Sequence, residues 1–441
     1  MIFAIELLLE AFLIYKVWTE RDRTRLFLWF MSAMILLFPG LKLVQGTPAV
    51  NWMFPVVCLL RVIKDKGLKE CWKKFPLKYI YGAILLFHFL QPLFSKWQGF
   101  GSTYFYVIQY VMTTYLYLFL GYCMAPDYSK LLENKKWIYT WLTIIFGIAV
   151  ICKILTYNII SSNLSDVSIW ASERAFTDRG FRVTSTQGSP NIFGYVNVLL
   201  AIFILNFREK NRIKCIMFAL ILINLILCGT RAPMVGLAAT LCAYAIFVNK
   251  AKLIRTVLLG VLAIIIASNF VSNDSPAMKY VNGVVDIFVT GGENTGGSSV
   301  DLRERQLAVA TSFAVNNPIW GCGNGFCNAM QNETSNQNIF YVSDLAGAES
   351  VIFYMLIDYG FVYIVLIIIY YLVLISFFIK NSSKNKDILA FTIPAIIALM
   401  THLLTSRPDN SWQIFMPLIG AGLYMIQDRK IKSIRKTTSY A

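Results

Sequence analysis

Arginine is the side chain to follow in this sequence. Its guanidinium stays charged and presents a planar fork of donors that matches phosphate oxygens. Of the arginines in segments expected on one face of a membrane, five are candidates: Arg182, Arg231, Arg303, Arg305 and Arg407. Gathered together, they would form a diphosphate site. Taken singly, each is better explained by pairing with a local acid (Asp178, Asp301, Glu304 or Asp409) or with a lipid phosphate. Arg231 stands out. It follows CGT in a very short connection between two apolar segments, where a charge is costly unless it has a use.

A group that moves a proton is needed beside such a site. Glu349 is the last acid of a long polar stretch, at the start of an apolar segment. The helix dipole favours its charged form there, and partial burial opposes it. A carboxylate at that boundary is well placed as a general base, although a plain N-terminal helix acid is the simpler reading. His402, five residues before Arg407, is the runner-up base, and His88 in LLFHFLQP reads as a satisfied group inside the membrane. Two histidines cannot build a His-rich metal centre, and no metal-ligand spacing, phosphate-binding Gly-Lys loop or dinucleotide fingerprint is present. No metal and no cofactor are expected.

These side chains sit on a very apolar chain. Of 441 residues, 57% are hydrophobic and 15% charged. Soluble domains average about 25% charged residues, so this is an all-α polytopic membrane protein. Stretches of roughly 17–25 apolar residues can cross a bilayer. They fall at 2–16 (weakly), 26–44, 47–63, 76–95, 105–124, 137–158, 191–207, 212–229, 232–248, 253–271, 358–379, 388–406 and 411–427, about 12–13 helices in all.

Orientation follows from the basic residues. About 28 of the 40 lysines and arginines lie in alternate segments at 16–25, 61–74, 130–136, 208–214, 249–255, 380–386 and 429–436, which places those segments and the C-terminus in the cytoplasm. The net charge of +16 is therefore mostly a topology signal suited to anionic lipid headgroups, not to nucleic acid. The N-terminus lacks a basic region and a small-residue cleavage site, so no cleavable signal is expected.

The chain reads as a single transmembrane domain over 1–441. It has a first extracytoplasmic loop at 159–190, a large one at 272–348 and a basic cytoplasmic tail at 428–441. Ser189 and Pro190 are placed to open a helix, the first as cap and the second in the first turn. Residues 300–316 have helical character, with Leu302, Leu307, Val309 and Phe313 apolar and Asp301 near the start. NPIWGCGNGF is punctuated by glycine and cannot be regular helix. Residues 349–357 resume a helical pattern. Gly360 would permit close helix packing, and Asp358 is either structural or lines the cavity. Cys322 and Cys327 are either a disulfide pair or two free thiols in a glycine-rich turn.

Three segments together resemble the O-antigen ligase and O-antigen/capsule polymerase superfamily of bacterial polysaccharide assembly. They are Arg182 with QGSPNIFGYVN, then CGTRAPMVGL, then RERQLAVATSFAVNNPIWGCGNGF followed by ESVIFYMLIDYGFVYIV. The resemblance covers roughly 180–380. It implies a helical bundle like the lipid-sugar-dependent glycosyltransferases. It also implies a donor glycan on undecaprenyl diphosphate, transferred outside the cytoplasmic membrane without nucleotide sugar or metal. Where ligases carry a histidine in an Ala-His-Asn-like context, this chain has Glu349 in AES, which favours the polymerase branch. The expected partners are the lipid-linked donor and acceptor, membrane lipids, a chain-length regulator and other assembly proteins. Two alternatives stand beside polymerisation: ligation of the glycan to another acceptor, and transport of a lipid-linked oligosaccharide.

Overall fold

The structure, a computed structural model, describes residues 2–37, 53–95, 97, 104–159, 176–177, 180–187, 189–207, 209–248, 300–331, 345, 350–381, 385–406 and 411–438. The span expected at 253–271, much of the large loop, Glu349 and Arg407 lie outside the described residues.

The described chain is helical, with one two-residue hairpin. The first group of helices is α1 (Ile2–Thr19), α2 (Arg23–Ser32), α3 (Met53–Lys66), α4 (Leu68–Lys74), α5 (Lys78–Phe94), α6 (Tyr104–Thr114), α7 (Leu116–Met124), α8 (Tyr128–Glu133) and α9 (Lys135–Leu155). The hairpin pairs β1 (Phe176–Thr177) with β2 (Gly180–Phe181). The second group is α10 (Pro190–Asn206), α11 (Asn211–Cys228), α12 (Arg231–Val248), α13 (Val300–Asn316), α14 (Phe326–Gln331), α15 (Val351–Lys380), α16 (Lys386–Thr405) and α17 (Ser411–Thr438). Four of these, α9, α11, α15 and α16, are long and apolar enough to cross a membrane, and α10 and α12 are shorter apolar helices. The protein is all-α and polytopic.

Several expected boundaries move, each for a physical reason. The stretch 105–124 is two helices broken at Tyr115, whose carbonyl takes Tyr81 Oη (2.7 Å) and Leu118 N (3.1 Å). The last helix does not stop at the apolar stretch but continues through the basic residues to Thr438. Pro190 occupies the first turn of α10 as expected, while the Ser189 side chain makes no capping bond. Residues 300–316 are a helix, as the pattern indicates. However, its buried face is Gln306, Ala310 and Ala314, and Leu307 is exposed.

The span expected at 358–379 starts earlier, at Val351, and is interrupted at Gly360 (φ 78°). The glycine-punctuated turn 317–325 docks into that interruption. Cys322 N donates to Ile357 O (2.8 Å), Gly323 N to Asp358 O (3.0 Å) and Val362 N to Pro318 O (3.1 Å). A Cβ at Gly360 would stand 2.7 Å from Asn317 O, so this glycine admits a loop backbone rather than a neighbouring helix.

The two ends of the bundle differ in chemistry. At one end the basic segments are tied together. Arg61 donates to the carbonyls of Trp18 and Glu20, and Arg23 Nη1 to Tyr424 Oη (2.6 Å). Tyr122 Oη and Gln427 Nε2 both reach Lys74 O, Lys135 pairs with Glu209 (2.6 Å), and Arg429 forks onto Asp387. The described parts of the basic segments thus meet at one end, and 249–255 lies outside the described residues. The opposite end collects 156–159, 181–187, 227–232, 317–325, 350 and 402–406.

Candidate functional site

Arg182 is positioned from two sides. Asn158 Nδ2 donates to Arg182 O (2.9 Å) while Asn158 Oδ1 accepts from Thr184 N (2.9 Å). On the other side, Val183 N donates to Leu227 O (2.9 Å). The segment that follows is polar in sequence yet fully inside the bundle: Thr184, Ser185 and Gln187 are all 0% exposed. Its side chains find backbone carbonyls. Ser185 Oγ donates to Ile145 O (2.7 Å), and Gln187 and Thr186 both donate to Ile35 O. Ile35 lies in a π-helical turn, Ala33–Leu37, that continues α2. Such turns release carbonyls from the regular ladder.

The Arg182 side chain then lies against the junction between α11 and α12. That junction is two residues long, Gly229 and Thr230. Gly229 ends α11 in the left-handed conformation (φ 63°), and a Cβ on it would stand 3.0 Å from Arg182 Cγ. The Arg182 guanidinium is close enough to the Cys228 thiol to act on it electrostatically, and Thr230 Oγ1 is 3.2 Å from the same sulfur. Arg231 is the first residue of α12. The unsatisfied N–H groups of a helix's first turn make a positive end that attracts anions. Arg182, Gly229, Thr230 and Arg231 therefore form one cationic corner.

His402 joins this corner through Tyr195, a residue the sequence gives no reason to single out. The Tyr195 hydroxyl donates to Ala232 O (3.3 Å) and shares a hydrogen bond with Thr405 Oγ1 (3.2 Å). Its ring stands edge-on to the His402 imidazole at 4.6 Å. His402 is fully buried in the last turn of α16, which packs along α12. Ser350, the residue after Glu349, donates from Oγ to Leu403 O (3.3 Å). The start of α15 thus sits on the turn that carries His402.

Arg303 and Arg305 are carried on a separate element. They occupy the first turns of α13, Arg303 half-buried and Arg305 exposed. Ala310 and Ala314 of α13 share a buried cluster with Phe353 and Ile357 of α15. Beyond them the helices meet at Asn317 and Gly360, so α13 and the first half of α15 run side by side in one direction. The two arginines therefore lie at the end of α13 nearer to Ser350. The structure groups Arg182, Arg231 and His402, and brings Arg303 and Arg305 to the same end on their own helix.

The remaining candidates resolve as structural. Asp358 is buried and accepts from Gly325 N at Oδ2 (2.9 Å) and from Cys327 N at Oδ1 (2.8 Å), which fixes the glycine turn. Gln91 adds to this by donating to Trp320 O (3.2 Å) and Asp358 O (3.0 Å). His88 is satisfied, as its setting suggests: Nε2 is 3.1 Å from Tyr363 Oη, inside a ring of Tyr110, Tyr115, Tyr359 and Tyr363. Cys322 and Cys327 are both buried, and no disulfide joins them.

Short polar runs are the available signal for Asn158 and Gln187, and Tyr195 has none. Nothing local says which carbonyl each one reaches.

A comparison with curated proteins finds no match to this chain. Residues 216–370 match the O-antigen ligase family. That range holds the α11–α12 junction with Arg231, helix α13 with Arg303 and Arg305, Glu349, and the glycine turn with Asp358, while Arg182 and His402 lie outside it. The match supports an O-antigen ligase/polymerase-like membrane glycosyltransferase. Residues 216–370 are thus similar to the O-antigen ligase family, within a chain whose apolar helices mark a multi-pass membrane protein.

Proposed function

We propose that the protein is a polysaccharide polymerase. It joins oligosaccharide repeat units carried on undecaprenyl diphosphate at the outer face of the cytoplasmic membrane. The observation that carries this reading is the cationic corner, in which Arg182 lies across the junction that ends at Arg231 and the positive end of α12. The donor's diphosphate docks there. Arg303, Arg305 and Arg407 add contacts to the diphosphate or the first sugar.

In the reaction, Glu349 removes the proton from an acceptor hydroxyl. The freed oxygen attacks the anomeric carbon of the donor. The bond between that carbon and the diphosphate oxygen breaks, and the configuration inverts. The leaving diphosphate gathers negative charge, which the guanidinium groups and the α12 N-terminus offset in place; preorganised groups of this kind are usually the largest catalytic contribution. No metal is assigned to this step. His402, the residue just before the Leu403 carbonyl that Ser350 reaches, is the alternative base.

The acid-Ser start of the segment at 349–350 supports the polymerase branch over the ligase branch. The outer-face arrangement supports transfer over transport, because transporters place charged groups at mid-membrane. The basic end of the bundle is the cytoplasmic one, and it carries the C-terminal helix.

The test is purified protein with lipid-linked repeat units and a chelator present. Longer lipid-linked chains are expected, and Glu349→Gln should make none while still binding donor. Glycan appearing on a foreign acceptor would make the protein a ligase. Unchanged donor would remove glycosyl transfer altogether.

A further inference from the structure

The basic end of the bundle holds a feature that glycan transfer does not use. Helix α4 is bent 116° away from α5, so it turns across the bundle instead of continuing along it. It is amphipathic. Cys71 is buried and Trp72 half-buried, while Lys69, Glu70, Lys73 and Lys74 are exposed. Beneath it, helices α3 to α7 leave an open groove of about 560 Å³, walled by Leu59, Leu68, Trp72, Leu85, Met112 and Leu116. The break between α6 and α7 at Tyr115 lies along its wall.

A groove of this size falls in the range of about 300–1,000 Å³ that ligand sites occupy. Its walls are apolar almost throughout, and its one charged lining residue is Lys69. Among the described residues Lys69 has no acid partner, and Lys73, Lys74 and Lys78 stand close along the chain.

The donor's diphosphate does not fit this place. Helix α5 runs antiparallel to α15, with Gln91 on Asp358, His88 on Tyr363 and Tyr81 close to Tyr370. The start of α5, and α4 with it, is therefore level with the stretch beyond Tyr370, while Ser350 marks the cationic corner. Twenty residues of helix rise roughly 30 Å, so the two places lie at opposite faces of the membrane.

We infer that this groove is a binding site for an anionic phospholipid of the leaflet at the basic end. One acyl chain lies along Trp72, Leu85 and Leu116, and the phosphate rests at Lys69. The charge of Lys69 selects anionic over zwitterionic headgroups, and the apolar walls take the chain. The inference stands apart from the glycosyl-transfer reading, since its test measures no transfer.

The full chain is reconstituted in phosphatidylcholine vesicles. A fraction of the lipid is then replaced by phosphatidylglycerol or phosphatidylcholine with brominated acyl chains. Bromine quenches nearby indoles, and the Trp72 signal is the difference between wild type and Trp72→Phe. Brominated phosphatidylglycerol should quench that signal at about fivefold lower mole fraction than brominated phosphatidylcholine, as one surface lysine's attraction to anionic lipid implies. Lys69→Glu, on an exposed side chain, should erase the preference. Leu85→Phe should weaken quenching by both lipids. Equal quenching by the two lipids would overturn the assignment, as would a preference that survives Lys69→Glu. Displacement of the brominated lipid by an equimolar polyprenyl phosphate would assign the groove to the carrier lipid instead.

Discussion

Gly229→Ala probes how Arg182 is held, and the structure sets its size. The residue has φ 63° and ψ 12°, a left-handed conformation that costs an alanine about 1–2 kcal/mol. Stability should fall by that amount. The new methyl would also stand 3.0 Å from Arg182 Cγ, so the arginine must give by a few tenths of an ångström. A misplacement of about 1 Å in a positioned catalytic group costs roughly a hundredfold, so this smaller shift should cost about tenfold in transfer rate. Gly229→Asn separates the two effects. Asparagine tolerates the left-handed backbone but carries the same Cβ. It should keep most of the stability and share the loss of rate. The assay is the initial rate of lipid-linked chain growth beside a thermal unfolding midpoint for each variant. Should Gly229→Asn restore the full rate, the alanine's defect comes from backbone strain. Arg182 would then not be positioned by this junction.

Other outcomes follow from single contacts. Asp358→Asn leaves only one side-chain oxygen to accept from the two N–H groups of Gly325 and Cys327, and should cost about 1–3 kcal/mol of stability, read from the unfolding midpoint. Glu209, in the α10–α11 connection, has its carboxyl held down to about 2, first by Lys135, then by Tyr139 and the Lys210 amide. Because the folded value is depressed, the stability it adds is fully present above the ordinary value of 4.5 and is lost as pH falls toward about 2. The stability difference between wild type and Glu209→Gln should therefore be constant from pH 7 to 5 and shrink below that. Thiol titration of the unfolded protein without reductant should find nine reactive cysteines; seven would mean that Cys322 and Cys327 are bridged.

Much of the scaffold is legible in the sequence because bilayers enforce it. Apolar length marks the helices, and basic residues mark one end. The helix at 300–316 and the two-residue junction before Arg231 both follow from local pattern. What escapes is set by distant partners. Residues 183–187 read as an exposed polar loop, yet they are buried because a π-turn at Ile35 and the carbonyl of Ile145 receive their side chains. The break at Tyr115 falls in the middle of an expected span, and the one at Gly360 falls at the start of another. Gly360 opens its helix only because a turn some forty residues earlier inserts its backbone there. Within the candidate site, Arg231 and His402 are visible as polar residues where apolar ones are expected. Tyr195, which joins them, is one tyrosine among 23.

The most direct measurement is a double-mutant cycle on binding of undecaprenyl diphosphate by wild type, Arg182→Ala, Arg231→Ala and the double variant. A hydrogen bond to a charged group contributes about 1.5–3 kcal/mol, so each single change should weaken binding at least tenfold. Two guanidinium groups on one diphosphate should also be non-additive by more than about 0.5 kcal/mol. Unchanged affinity in both single variants, with the fold intact, would contradict the account at its root.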